Sequence, residues 1–248
     1  MLRALEAGYR HIDTAEIYGN EEPIGRAVRD FGEGREGLFL TTKLWFGSLA
    51  YRRVFCAAER SLRRLKTDYV DLLLIHWPSR DVALEETLDA MMNLQSAGKV
   101  KLIGVSNFPP SWMKRASQYA PIACNQVEYH PFLSQEKVLA VARQLGIIVT
   151  AYSPLALGQV ARHNGLSEIG RGHGKSAAQV ALRWLVQQAG VATVPRAADP
   201  EHCRDNLCIF DFQLSSAEMN QVFGMAEGKR LLNPCFAMDW EDDPDTAA

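Results

Sequence analysis

Four side chains of complementary chemistry stand at or just beyond the ends of short apolar runs: Asp13, Tyr18, Lys43 and His76. Their contexts are His11-Ile12-Asp13-Thr14-Ala15, then Tyr18-Gly19-Asn20-Glu21, then Leu40-Thr41-Thr42-Lys43 and Leu73-Leu74-Ile75-His76-Trp77-Pro78. A phenol with an ordinary pKa of about 10 is a poor acid at neutral pH unless its anion is stabilised. A neighbouring ammonium does this, so Tyr18 beside Lys43 would be a general acid. Asp13 would pair with Lys43 and keep it charged and oriented, while His76 would hydrogen-bond an oxygen that gathers negative charge. Taken singly, each residue has a plainer reading: Asp13 as a helix cap, Tyr18 as a turn residue, His76 as a structural neighbour of Trp77. The set, not any one member, points to proton delivery.

The elements that must position this set alternate in type. Strands are expected at Tyr9–Asp13, Leu38–Lys43, Val70–His76, Leu102–Ser106, Cys124–Glu128, Ile147–Tyr152 and Ala192–Pro195. Val70–Ile75 is apolar along almost its whole length, as a parallel strand covered on both faces requires. Helices are expected at Met1–Ala7, at Tyr51–Leu65 with Val54, Ala58, Ser61, Leu62 and Leu65 on one face, and at Leu84–Ala97 with Leu84, Leu88, Met91 and Met92 inward. Ser176 can cap a further helix that carries Val180, Leu182, Trp184 and Leu185 and stops before Gly190. Strand–helix alternation implies parallel pairing through right-handed crossovers, as in an open doubly wound sheet or a closed (β/α)8 TIM barrel. There is no Gly-x-Gly-x-x-Gly turn after the first strand, as an open dinucleotide-binding sheet would need. Polar residues gather at the strand ends, where barrels keep their chemistry. The barrel is the expected fold, as a single domain over 1–248 with 232–248 as a C-terminal loop or tail. Only seven strands are found, so about one βα unit, the first strand, is expected to be lacking before Met1.

Composition narrows the class. The chain has 248 residues, 47% hydrophobic and 23% charged, which excludes a disordered or collagen-like protein. Lys and Arg number 27 against 29 Asp and Glu, a formal charge of −2 without a basic cluster, so nucleic acid is not an expected partner. No segment approaches the ~18–20 apolar residues of a membrane span, and no signal peptide opens the chain. Five cysteines (Cys56, Cys124, Cys203, Cys208, Cys235) form no Cys-x-x-Cys pair and no metal-ligand spacing with His, and they suit a reducing cytoplasm. No metal is expected, and nothing demands more than a monomer.

The ordered motifs resemble the aldo-keto reductase family through nearly the whole chain. To the four segments above are added Gly104-Val105-Ser106-Asn107-Phe108, Asn125-Gln126-Val127-Glu128-Tyr129-His130-Pro131 and Ala151-Tyr152-Ser153-Pro154-Leu155. Within the family the chain is most similar to the bacterial 2,5-diketo-D-gluconate reductase group, whose members also reduce small ketoaldehydes such as methylglyoxal. The resemblance implies NAD(P)H-dependent reduction of small aldehydes, ketones or ketoaldehydes, with Tyr18 as general acid and Asp13, Lys43 and His76 as its partners. It implies further that Ser106, Asn107 and Gln126 hold the nicotinamide carboxamide and that Tyr152 stacks on the ring. Ser153 and Leu155 then lie against the pyrophosphate, and Asp205 and Asn206 hold the adenine.

At the adenosine end the chain departs from the family pattern of Pro-Lys-Ser followed by a later Arg. It reads Pro195-Arg196-Ala197, with His202 at the later position and Asp199 and Glu201 nearby. Arg196 keeps a phosphate donor, Ala197 loses a hydroxyl, and His202 is mostly neutral at pH 7. NADP(H) is the expected cofactor, with a weakened preference that admits NAD(H). Trp45, Phe46 and Trp77 follow Lys43 and His76 directly and should wall a site for a small carbonyl substrate, beside a segment Leu232–Asp243 bearing Phe236 and Trp240. His11 and His130 read as structural. The alternative is a non-catalytic or truncated cofactor-binding barrel, a regulatory subunit or inactive paralogue. A metal-dependent hydrolase fits poorly, because Asp13 and His76 alone are too few ligands.

Overall fold

The computed structural model describes residues 1–197 and 199–240; Ala198 and the acidic end that includes Glu241, Asp242 and Asp243 lie outside the described residues. The chain divides into two compact units. The first comprises Met1–Asn125, Gln144–Ile147 and the described residues from Phe236 onward, and the second Gln126–Arg143 and the described residues of Ile148–Cys235.

The first unit begins with a short helix α1 (Leu2–Glu6) and then alternates β1 (His11–Asp13), α2 (Glu21–Phe31), β2 (Phe39–Leu44), α3 (Tyr51–Leu65), β3 (Val70–Ile75), α4 (Leu84–Ser96), β4 (Val100–Ser106) and α5 (Pro110–Tyr119). The four strands pair in parallel and in chain order. Every residue of β3 is buried, which is why its sequence is nearly unbroken in Val, Leu and Ile. Helix α3 buries Val54, Ala57, Ala58, Ser61, Leu62 and Leu65 and turns its arginines outward. Each large aliphatic side chain so buried contributes about 1.5–3 kcal/mol against exposure. Gly25 lets α2 approach α3 closely: a Cβ there would stand 2.5 Å from the Arg64 carbonyl oxygen and 2.5 Å from the Leu65 carbonyl carbon. On α4, Leu84, Leu88, Met91 and Leu94 are buried, whereas Met92 is only partly so.

Strand β5 (Ile122–Glu128) and helix α6 (Glu136–Leu145) are shared at the division between the units. The second unit holds β6 (Ile148–Tyr152) paired in parallel with β7 (Val191–Thr193), together with α7 (Asn164–His173), α8 (Ala177–Val186), α9 (Pro200–Asp205) and α10 (Ser216–Phe223). Helix α8 starts in a capping box, the Ser176 side chain accepting from the Gln179 N–H while the Gln179 side chain accepts from the Ser176 N–H. All seven expected strands are present within about two residues of their expected bounds. The last lies a residue earlier than expected, because its chain leaves the ladder after Thr193 and before Pro195.

Candidate active site

Parallel register brings three members of the acid–base set to one end of the first unit's sheet. Asp13 closes β1 opposite Thr41, Lys43 stands in β2 opposite Leu74, and His76 follows β3 with its N–H donating to the Leu44 carbonyl at 3.0 Å. Tyr18 closes a single turn of 3-10 helix, Glu16–Tyr18, which ends at Gly19 in the left-handed region with φ 65°. The turn is braced at its base: the Thr14 hydroxyl donates to Asn20 at 2.6 Å, and the Thr14 N–H donates to the Thr41 carbonyl at 2.9 Å.

Lys43 is buried, and its ammonium donates to Asp13 Oδ1 at 2.5 Å and to the Thr14 carbonyl at 2.8 Å. Its Nζ lies 5.1 Å from the Tyr18 ring centroid. The Tyr18 hydroxyl lies 3.4 Å from His76 Nε2, with the two rings edge to face at 5.5 Å. The four residues therefore form one connected group.

Their proton affinities follow from that packing. Burial pulls the His76 imidazole down to about 3, and the positive charge of Lys43 adds to the effect. Burial also lowers the Lys43 ammonium, while the charge and hydrogen bond of Asp13 oppose the fall. Tyr18 is pushed up to about 12, first by burial of the phenol and then by the Asp13 carboxylate. Here the finding differs from the expectation that Lys43 lowers the phenol. Half of the Tyr18 side-chain surface faces solvent, but its hydroxyl is turned inward. The Lys43 hydrogens go to Asp13 and Thr14 rather than to the phenol oxygen.

Beside this group lies an aromatic cluster. Trp45 stands edge-on to His76 at 5.3 Å and 4.7 Å from Phe46. Phe236 packs on Trp45, Phe46 and Trp77 at 5.7, 5.1 and 5.5 Å. Ser106 and Asn107 are buried at the end of β4, and the Asn107 amide donates to the His76 carbonyl and to Ser106 Oγ, both at 3.0 Å. Asn107 adopts a φ of 61°, a left-handed backbone that an Asn tolerates and that turns its amide back along the strand end.

In the second unit Gln126 is buried on β5, Tyr152 ends β6 half-buried, and Ser153 has a φ of 49°. Leu155 is half-buried in the same loop, which also holds Ala156 and Leu157 in the left-handed region. Such strained residues gather at ligand loops. Arg196, His202 and Asp205 are exposed and Asn206 is buried. Asp199 caps α9, its carboxylate accepting the Glu201 N–H at 2.7 Å.

The match to known proteins decides what this arrangement belongs to. The model of the Aldo/keto reductase family covers residues 1–227. The chain belongs to the aldo/keto reductase family. It is 40% identical over 230 residues to the glyoxal reductase of Bacillus subtilis (strain 168), with 92% of this chain and 83% of that protein covered. It is also 40% identical to the 9,11-endoperoxide prostaglandin H2 reductase of Trypanosoma cruzi (strain CL Brener), over 92% and 82% of the two chains. A solved structure provisionally described as a 2,5-diketo-D-gluconic acid reductase B superposes with a TM-score of 0.94 at 46% identity, covering 96% of this chain and 86% of that one. The fold of this aldo/keto reductase is accordingly the family's (β/α)8 barrel type, with seven parallel strands among the described residues. The protein is an oxidoreductase acting on carbonyls, in a family that uses nicotinamide cofactors, generally NADP(H). No helix among the described residues is long and apolar enough to cross a membrane, and no cluster of His, Cys, Asp and Glu there could hold a metal ion.

Several residues that shape the site were not singled out from sequence. Glu16 opens the turn after β1, and Glu21 opens α2. Glu21 is fully buried, accepting from the Thr42 hydroxyl at 2.7 Å and Arg64 at 3.0 Å. In the second unit Glu128 accepts from the Leu231 and Leu232 N–H groups at 2.7 and 2.9 Å and pairs with His130 at 3.0 Å. Burial alone would raise its carboxyl, but these hydrogen bonds outweigh it and hold the group below the usual range. The sequence signal for Glu128 is its place as the acid that closes strand β5.

Proposed function

We propose that this protein reduces small aldehydes, ketones or ketoaldehydes with NADPH, using Tyr18 as the proton donor, as one catalytic domain over 1–248. The observation that carries the reading is the connected group Asp13–Lys43–Tyr18–His76 at the strand ends, with aromatic walls on one side. A bound nicotinamide supplies the hydride; every other part of the reaction falls to the chain. Carbonyl, hydride and one proton together make the alcohol, so a proton must reach the oxygen.

His76 is uncharged at neutral pH, and its Nδ1 is buried with no hydrogen-bond partner among the described residues. Orphaned buried donors are rarer than orphaned acceptors, which favours a proton on Nε2 and a lone pair on Nδ1. Nε2–H then faces the Tyr18 hydroxyl and can donate to the substrate oxygen as charge develops. A phenol of pKa about 12 keeps its proton until an alkoxide, a stronger base, forms beside it. The Lys43 ammonium, held by Asp13 with its Nζ 5.1 Å from the Tyr18 ring centroid, offsets only part of the burial cost of the phenolate left behind.

The donor set suits the cofactor. Ser106, Asn107 and Gln126 are buried polar groups able to bind a carboxamide, Tyr152 offers a flat aromatic face, and Ser153 and Leu155 lie in a strained loop suited to a pyrophosphate. Arg196 is exposed and free to meet a 2′-phosphate, and Asp205 and Asn206 are assigned to the adenine. With His202 in place of an arginine and Glu201 close by, NADH is a second cofactor. The substrate is assigned to Trp45, Trp77 and His76, in a monomer of the cytoplasm. Glyoxal and diketogluconate reductases among the relatives support ketoaldehydes as substrates. Steady-state oxidation of NADPH and NADH with methylglyoxal tests the reading. NADPH turnover with a measurable NADH rate is expected; no turnover from folded protein would refute it, and a thousandfold NADPH preference would refute the second cofactor.

A further inference from the structure

The turn that carries Tyr18 also carries a carboxylate that takes no part in proton transfer. Glu16 opens that turn, and its side chain is only 14% exposed. Its two oxygens collect three donors from other elements. Oε2 accepts the Trp45 backbone N–H at 3.1 Å; Oε1 accepts the Ser48 hydroxyl at 3.1 Å and the Arg60 guanidinium at 2.9 Å. Trp45 and Ser48 bracket the short turn after β2, and Arg60 stands on α3.

These bonds close a circuit. From Glu16 the chain runs two residues to Tyr18, whose hydroxyl meets His76. His76 meets the Trp45 ring at 5.3 Å, and the Trp45 N–H returns to Glu16. Loosening Glu16 from Trp45 therefore frees two things together, the turn bearing the phenol and the turn bearing the aromatic wall. Arg60 is nearly half exposed, and an ion pair so open to water contributes little to stability. The bonds that matter are those to the Trp45 amide and Ser48, which depend on the reach of the side chain and on an acceptor oxygen, not on charge.

We propose that Glu16 is a positioning residue that ties the Tyr18 turn to the Trp45 turn and so sets the distance between proton donor and substrate wall. Its kinetic consequence rests on the reductase reading above; its geometric consequence does not. The test compares Glu16→Ala, Glu16→Gln, Glu16→Asp and Arg60→Ala in turnover of methylglyoxal and of a bulkier aromatic aldehyde, in NADPH affinity, and in hydrogen exchange of the Trp45 amide. Misplacing reacting groups by about 1 Å costs up to about 100-fold, so Glu16→Ala should lose about 10–100-fold in kcat/KM, with NADPH affinity within about threefold of wild type. Its Trp45 amide should exchange at least about tenfold faster, since the acceptor is gone. Glu16→Gln keeps an acceptor oxygen at the same reach and should restore most of both readouts. Glu16→Asp keeps the charge, falls a methylene short, and should resemble Glu16→Ala. Arg60→Ala should stay close to wild type.

The reverse order, rescue by Asp and not by Gln, would overturn the proposal in favour of simple charge pairing. So would wild-type kinetics and exchange in Glu16→Ala, or a parallel loss of NADPH binding that marks general unfolding. Should Glu16→Ala fail to fold, the Asp and Gln variants carry the same comparison. If the wild type turns over no carbonyl, the reductase reading falls while Trp45 exchange still decides the role of Glu16.

Discussion

His76 is a histidine that the fold keeps uncharged, and acid should reveal the cost. Its imidazole is 7% exposed, and burial with the adjacent Lys43 charge holds it at about 3 against an ordinary 6.5. Below pH 6.5 the unfolded chain takes up a proton here that the folded chain refuses until about pH 3. The unfolded state then binds more protons, so stability falls with falling pH across that window and is fully present above it. At 1.36 kcal/mol per unit, the loss at pH 4 relative to pH 7 is about 3 kcal/mol. In a chain of this size that corresponds to about 6–12 °C in Tm. His76→Gln cannot titrate at this position and escapes the loss, whatever constant cost its own packing brings. Thermal unfolding of both proteins by circular dichroism from pH 7 to pH 4 should show the wild type falling about 6–12 °C further than the variant. Parallel decline of the two Tm curves would refute the burial argument. The kinetic counterpart is a kcat/KM profile with no break near pH 6.5 owed to His76.

Two more perturbations follow from packing. Asp13→Asn strips the buried Lys43 of its charge partner, which should cost about 3–5 kcal/mol at pH 7. Burial already depresses Lys43 in the fold, so the unfolded state binds more protons and the deficit should shrink as pH rises towards the ordinary lysine value; Tm measured from pH 7 to pH 10 checks this. Gly25→Ala pushes a methyl against the α3 backbone and should lose about 1–3 kcal/mol, whereas Gly172→Ala on α7, with open space around it, should gain about 0.5–1 kcal/mol. Urea midpoints of the two variants check the contrast.

What the sequence made legible was whatever depends on local pattern. The apolar run of β3 and the arginine-faced stripe of α3 can be read from periodicity, and strand ends then place Asp13, Lys43 and His76 together. Tyr18 joins them on chemistry and on family resemblance rather than on strand geometry, because it lies on a turn outside any strand. Glu16 and Glu128 escaped notice for another reason. Their partners are backbone amides 29 and more than 100 residues away, and no spacing rule encodes such bonds. The sequence pattern puts Lys43 near Tyr18 and so implies a lowered phenol, but it does not show that the Lys43 hydrogens go to Asp13 and Thr14. Phe236 could be expected near the aromatic wall, but its seat on Trp45, Phe46 and Trp77 required the folded chain.

The central claim is that the Tyr18 hydroxyl delivers the proton. It is tested most directly by Tyr18→Phe, assayed for NADPH oxidation with methylglyoxal alongside NADPH binding by fluorescence. Removal of a general acid costs about 100- to 10,000-fold. The account predicts a kcat lowered at least about 100-fold with NADPH affinity and Tm close to wild type. A variant that keeps wild-type kcat would contradict it and return the proton to another group.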